Sequence, residues 1–166
     1  MEQVLLVEPC TIQHLETLLL GREVFFQQLG MAIADDYELS PKILDFSRKK
    51  LLDKTVFPCW WTHLFILNKT RTVIGIGGYK GNPDLEGMVE IGYSIAGSYQ
   101  NQGLGKQAAK ILIDRAFQNP TIKLVRAHTL RDDNPSVRLL KRVGMKKVTE
   151  VEDPKYGQVW RWEIYK

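Results

Sequence analysis

Apolar residues change their spacing several times along the chain, and each change predicts an element. Residues 4–7 form a short apolar run ended by Glu8-Pro9, which suits a strand, and Thr11 is placed to cap a helix after it. From 12 to 29 the apolar positions Ile12, Leu15, Leu18, Leu19, Val24, Phe25 and Leu29 recur at helical spacing, with Gly21 set to break or kink the run. Ser40-Pro41 is an N-cap followed by proline at the first helical position, and Ile43, Leu44, Leu51 and Leu52 carry an amphipathic helix to about residue 54.

The period changes after Pro58. Residues 60–67 are aromatic and apolar, 68–71 make a polar turn, and 72–79 are β-branched and glycine-rich, which predicts a hairpin. A polar connection at 81–87 leads to a third antiparallel strand at 88–95. Helical spacing returns with Ala108, Ala109, Ile111, Leu112, Ala116 and Phe117, and 123–130 reads as another strand. Asn134-Pro135-Ser136 caps a short helix to Arg142 that Gly144 ends, and 145–151 with 159–165 form a closing hairpin. The order β-α-α-β-β-β-α-β-α-β-β predicts one α+β domain over 1–166. Its sheet is mixed, and only the crossover at 106–117 demands parallel neighbours.

Composition narrows the class. With 44% hydrophobic and 25% charged residues, the 166-residue chain is an ordinary globular domain, which excludes disorder, collagen and a coiled coil. Its net charge of +4 suits an anionic small molecule without marking a nucleic-acid binder. Cys10 and Cys59 fit no disulfide framework and read as reduced thiols, and His14 and His63 share no ligand spacing with them, so no metal is expected. The first seven residues lack the pattern of a signal peptide, and the longest uncharged stretch, 55–68, falls short of the ~20 residues a membrane helix needs. The expected location is the cytoplasm, with no membrane contact.

The most informative stretch joins the strand ending at Ile95 to the next helix: Gln100-Asn-Gln-Gly103-Leu-Gly105-Lys106. Glycines there let the backbone turn tightly and bring several N–H groups, with the positive end of the helix dipole, close to a bound anion such as a pyrophosphate. A Walker A loop is excluded, because Gln100 stands five before Gly105 and Gln107 follows Lys106. Gly103-Leu-Gly105-Lys-Gln-Ala108 satisfies the dinucleotide pattern G-x-G-x-x-A, but the antiparallel meander before it and the hairpin at the end do not build a doubly wound parallel sheet.

The third pattern, Q/R-x-x-G-x-G/A, is met by Gln100 to Gly105, between Val89-Glu-Ile-Gly-Tyr-Ser-Ile95 and Asn134-Pro-Ser-Val-Arg-Leu-Leu-Lys-Arg-Val-Gly144-Met145. By these three motifs in order the sequence resembles the GNAT superfamily of acyl-CoA-dependent N-acetyltransferases, in the branch that includes ribosomal-protein N-terminal acetyltransferases. The specific core covers about 88–145, and the element order matches over nearly the whole chain. The resemblance implies a mostly antiparallel central sheet flanked by helices, with a splayed strand pair forming the acyl-CoA cleft. It also implies that Gln100, Asn101, Gln102, Gly103, Leu104, Gly105 and Lys106 hold the pyrophosphate of acetyl-CoA. A β-bulge near 94–97 would open the cleft, with Ile95 and Gly97 as backbone partners of the pantetheine arm.

For the chemistry, Glu90 is the candidate general base, acting directly or through water. Strand alternation places it on one face with the small residues Gly92 and Ser94, and apolar neighbours are expected to raise its pKa. Its position resembles that of the family's catalytic glutamate; the competing reading is that it pairs with a basic neighbour. Where relatives carry a tyrosine as general acid, this chain has Leu140, so thiolate protonation falls to solvent, Ser94 or Ser136. Either Asp133 or Asn134 takes the family asparagine position, and the resemblance implies that Asn134 is among the coenzyme-binding residues. His128 is a possible second base or a hydrogen-bonded core residue. Phe57, Trp60, Trp61, Phe65, Trp160 and Trp162 are core aromatics or acceptor-pocket walls.

The expected activity is direct acetyl transfer to a primary amine, a protein N-terminus or a small molecule, in a monomer or homodimer. Segments 21–37 and 81–87 would shape acceptor choice. A non-catalytic acyl-CoA sensor and a nicotinamide-dinucleotide-binding protein are the alternatives.

Overall fold

In a computed structural model, which describes residues 4–166, the apolar run at 12–29 folds as two helices, α1 (Ile12–Leu20) and α2 (Arg22–Leu29). Gly21 separates them at φ 119°, a backbone conformation closed to side chains with a β-carbon. Thr11 caps α1 as expected, accepting the His14 N–H at 3.0 Å while His14 Nδ1 accepts the Thr11 N–H at 3.2 Å. The expectation of no leader rests in part on residues 1–3, which lie outside the described residues.

The remaining elements are β1 (Leu5–Pro9), β2 (Ala32–Ile33), α3 (Pro41–Leu52), β3 (Thr62–Leu67), β4 (Thr72–Tyr79), β5 (Met88–Ile95), α4 (Leu104–Gln118), β6 (Leu124–Leu130), α5 (Pro135–Arg142), β7 (Lys146–Asp153) and β8 (Gly157–Tyr165). Two differences from the sequence reading have local causes. The strand expected from residue 60 starts at Thr62, because Pro58 opens a 3-10 turn over Pro58–Trp60. The two-residue β2 is too short to show periodicity, and it pairs parallel with Thr72 and Val73 at the start of β4.

Among the described residues the sheet runs β1-β3-β4-β5-β6-β8-β7, and β2 takes the place beside β4 that β5 leaves free. Along this path only β5 and β6 are parallel, joined by α4 as the crossover required. Strand alternation feeds two cores. Phe65, Ile74, Ile91, Leu112 and Trp162 pack on the α4–α5 side, while Leu15, Phe25, Leu44, Leu64 and Ile66 pack under α1–α3.

The aromatics divide accordingly. Trp61, Phe65 and Trp162 are buried, with Trp61 Nε1 donating to the Ser47 carbonyl at 3.2 Å and Trp162 Nε1 to Thr129 Oγ1 at 2.9 Å. Phe57 is exposed, and Trp60 stacks edge-on against Tyr79.

The β5–β6 ladder has three rungs, Met88–Leu124, Val89–Val125 and Glu90–Arg126, and then stops. Beyond Glu90, β5 stays with β4 in unbroken register to Ile95, while β6 stays with β8 to Leu130. The strands therefore part as a fork. The bulge expected at 94–97 is absent: Gly97–Tyr99 is a 3-10 turn, and the nearest register shift lies between β3 and β4 at Phe65/Ile66. Divergence comes from the two strands following different neighbours.

Candidate active site

The fork opens into a cleft of about 640 Å³. One wall is the freed edge of β5 at Tyr93, Ser94 and Ile95, the other is β6 at His128, Thr129 and Leu130 with the start of α5. The turn before α4 closes one end, and Asp153 and Tyr156 of the β7–β8 connection reach the other side.

The turn is built by backbone geometry. Asn101 and Gly103 have φ of 58° and 77°, both left-handed, so the chain coils back before entering α4. No side chain caps α4, whose positive N-terminal end adjoins the cleft. Lys106, Arg138 and Arg142 add three cations along its lining.

Of the residues expected to bind the coenzyme, Ile95, Gln100, Asn101, Gly103, Gly105, Lys106 and Asn134 line the cleft together. The remaining three stand elsewhere. Leu104 is buried in the core, Gln102 donates its amide to the Ser98 carbonyl at 2.8 Å, and Gly97 lies against Asp36. Gln100 also braces the turn, donating to the Ile95 carbonyl at 2.9 Å. Asn134 Oδ1 caps α5 by accepting the Val137 N–H at 3.0 Å, whereas Asp133 is exposed and pairs loosely with Arg138.

The segment after β2 pins this end of the cleft. Asp36 accepts the Ser98 N–H and hydroxyl, both at 2.7 Å, and these bonds hold its carboxyl below its usual pKa. The Tyr37 hydroxyl accepts the Ile76 N–H at 3.0 Å and lies 3.0 Å from Ser94 Oγ. Arg22 in turn donates to the carbonyls of Ile33, Ala34 and Tyr37.

Glu90 stands at the fork, two-fifths of the way along β5 and about four-fifths hidden from solvent. Its Oε1 accepts from Lys80 Nζ at 2.6 Å and from His128 Nδ1 at 2.8 Å. This corrects the expected pKa direction. Burial does push the carboxyl up, but the Lys80 ammonium and the His128 N–H outweigh it, and the net shift is downward. Both Lys80 and His128 line the cleft.

Sequence reading did not find three cleft groups. Lys80 sits just beyond β4 in no motif, and Arg138 lies on α5 within the 134–145 motif, where no role was expected of it. Tyr93 projects into the cleft with its hydroxyl buried and without a well-formed hydrogen bond, close to Ser136; burial pushes its pKa up to about 12, with Ser136 opposing. Strand alternation could have indicated Tyr93, two residues before Ile95. Leu140, at the position of the missing tyrosine, is buried in the core and does not line the cleft.

Among the described residues, no group of three or more His, Cys, Asp or Glu is placed to hold a metal ion, and no helix is long and apolar enough to cross a membrane.

Residues 5–146 match the family described as acetyltransferase (GNAT) domain. The chain is 32% identical over 88 residues to the uncharacterized N-acetyltransferase YjdG of Bacillus subtilis, covering 53% of this chain and 51% of that protein. It is 28% identical over 82 residues to the uncharacterized N-acetyltransferase p20 of Bacillus licheniformis, covering 49% and 46%. The match thus spans about half the length of these curated relatives. A structure of a putative ribosomal-protein-serine acetyltransferase from Vibrio cholerae superposes with a TM-score of 0.72 at 18% identity, over 100% of this chain and 96% of that one. The ribosomal α-N-protein acetyltransferase RimL in complex with coenzyme A gives 0.71 at 15%, over 99% and 95%. These likenesses show the fold, a mixed and mostly antiparallel sheet rather than the doubly wound sheet of a dinucleotide-binding protein.

Proposed function

Because this chain belongs to the GNAT acetyltransferase family, we propose that it binds acetyl-CoA between β5 and β6 and transfers the acetyl group to a primary amine within a ternary complex. One observation carries the reading: the β5–β6 ladder ends at Glu90, whose carboxylate is held there by two residues that line the cleft, Lys80 and His128, while the glycine turn before α4 lines the same cleft.

The residues fit the donor. Backbone N–H groups of the turn, the α4 dipole and the cations Lys106, Arg138 and Arg142 suit the phosphates. The edge of β5 at Tyr93, Ser94 and Ile95 has lost β6 as a neighbour, and it suits an extended pantetheine arm laid along it.

In the reaction the neutral amine attacks the thioester carbonyl, its surplus proton passes to Glu90 directly or through water, and the thiolate leaves. Ser136, with the Tyr93 hydroxyl beside it, hydrogen-bonds that thiolate and passes it a proton that solvent returns to the serine oxygen in the same step; both residues line the cleft. Ser94 serves less well, because its hydroxyl is engaged with Tyr37.

The acceptor is a protein N-terminus or a small-molecule amine. Ribosomal-protein acetyltransferases among the solved neighbours support the former and spermidine N-acetyltransferases the latter. The Leu140 substitution favours one other reading, an acyl-CoA-binding module without turnover.

Thermal stability with saturating acetyl-CoA, with NAD as control, tests the donor site, since a ligand at a hundred times its Kd adds ~2.7 kcal/mol to a folded protein. Free-thiol release on a panel of peptide and polyamine acceptors tests transfer. Stabilisation by acetyl-CoA with turnover of at least one amine is the expected result. No stabilisation overturns the reading, and stabilisation without turnover on any amine transfers it to the binding-module alternative.

A further inference from the structure

Four polar side chains from four segments meet at the fork. Lys80 follows β4, Glu90 lies on β5, His128 on β6 and Arg161 on β8, where it is the cross-strand partner of His128. Arg161 Nε donates to His128 Nε2 at 3.2 Å, and His128 Nδ1 lies 2.8 Å from Glu90 Oε1.

The direction of these bonds assigns the proton. A guanidinium carries donors only, so His128 Nε2 must offer its lone pair, and the single ring proton therefore sits on Nδ1 and is donated to Glu90. An imidazolium would point an Nε2–H at the Arg161 donor and set two cations against each other. The other charged groups at this face are Lys80, Arg126 on β6, Glu163 on β8 and Asp153 at the end of β7. Arg126 is taken by Glu163 at 2.7 Å and so leaves Glu90 to His128 and Lys80.

We infer that Arg161 is a positioning residue: by occupying the Nε2 lone pair it locks His128 as the neutral Nδ1–H tautomer, and that N–H orients the Glu90 carboxylate at the fork. The inference rests on the reading of Glu90 as proton acceptor. It also removes His128 as a second base, because the lone pair such a base would use is already engaged. A neutral donor matters for the chemistry. It aims the carboxylate without adding a second full positive charge to that of the Lys80 ammonium, which already lowers the Glu90 pKa.

The test starts with nitrogen-15 NMR of the three histidines in the intact chain, with His128→Gln for assignment. At pH 8 His128 is expected to show protonated Nδ1 and unprotonated Nε2. In Arg161→Met the Nε2-protonated tautomer should appear beside it, and Arg161→Lys should restore the single tautomer. With a turned-over amine in hand, kcat of Arg161→Met at pH 8 should fall about fourfold or more relative to the wild type, with KM for acetyl-CoA unchanged and Arg161→Lys recovering the rate.

A wild-type His128 with Nε2 protonated at pH 8 overturns the inference whatever the enzyme does. So does an Arg161→Met variant whose ring tautomer and kcat match the wild type. If Arg161→Met does not fold, the wild-type tautomer and Arg161→Lys decide the matter. The expected tautomer in a protein that acetylates no amine leaves the lock intact but overturns its catalytic purpose, together with the acetyl-transfer reading.

Discussion

Glu90 and Arg126 face each other on the last rung of the β5–β6 ladder, yet they do not pair. Arg126 turns to Glu163 on β8, with Nε and a terminal nitrogen at 2.9 and 2.7 Å from the same carboxylate oxygen. Glu90 turns to His128 and Lys80 instead. A charge-assisted Arg–Glu pair across the last rung would have tied β5 to β6 at the fork. In its place the Glu90–His128 bond links β5 to β6 just beyond the last rung, and both residues that hold Glu90, His128 and Lys80, line the cleft.

Replacing that carboxylate tests its role. Glu90→Gln keeps the size of the side chain and its capacity to accept from Lys80 and His128, but loses the site for a proton. We expect kcat to fall by about 10²-fold or more, with acetyl-CoA still raising the melting temperature as in the wild type. Equal turnover in the two proteins would exclude Glu90 as the base.

Acid stability should report His63. Burial lowers its pKa to about 4 against the Trp61 carbonyl, which its Nδ1 meets at 2.9 Å, and Nε2 is buried without a partner. The unfolded chain therefore binds a proton near the ordinary value of 6.5 that the folded chain refuses, so stability is intact above pH 6.5 and declines as pH falls towards 4. Urea midpoints from pH 7.5 to 4 should fall more steeply for the wild type than for His63→Gln.

The lowered pKa of Glu90 has the same sign in a lower window. Its ionised form is favoured by the fold, so its contribution is present above the ordinary value of 4.5 and disappears as pH drops through the folded value. The stability difference between the wild type and Glu90→Gln should be constant from pH 8 to 6 and shift towards the variant in acid. A pH-independent difference would show that the carboxylate is not preferentially ionised in the folded protein.

Gly77 on β4 admits no side chain. A β-carbon there would meet the Gly92 carbonyl at 2.5 Å and the Phe65 ring at 2.6 Å. Gly77→Ala should cost about 1 to 3 kcal/mol, read from the chemical denaturation midpoint. An unchanged midpoint would mean that β4 and Phe65 shift without cost.

Asp36 offers a test of the donor site away from the chemistry. Its two bonds to Ser98 anchor the turn at 97–99, which runs directly into the glycine turn that begins at Gln100. Asp36→Ala should weaken acetyl-CoA binding in calorimetry and leave the pH profile of turnover unchanged. Unaltered affinity would show that the anchor has no part in shaping the turn.

What could be read from the chain and what could not follow a physical division. Local periodicity located the strands 72–79 and 88–95 to the residue, and Ser40-Pro41 and Asn134-Pro135 marked two helix starts, because these signals act between neighbours in the chain. The cleft residues Gln100, Asn101, Gly103, Gly105 and Lys106 were legible for the same reason, since one contiguous turn carries them. Glu90 was legible as a carboxylate in an apolar strand, but the direction of its pKa was not. Lys80 and His128 reach it from positions 10 residues before and 38 after, and no spacing encodes that meeting. The fork likewise has no local signature. It exists because β5 keeps to β4 while β6 keeps to β8, a competition between neighbours. Read alone, the chain yields the longer elements and their order, the glycine turn before α4 and the family resemblance, but not the two-residue β2. Only the tertiary structure decided that the strands part at Glu90, that Arg161 holds His128, and that Arg126 is drawn away to Glu163. Those outcomes depend on which strands lie side by side, and strand neighbours are set by the packing of the whole sheet between its two cores.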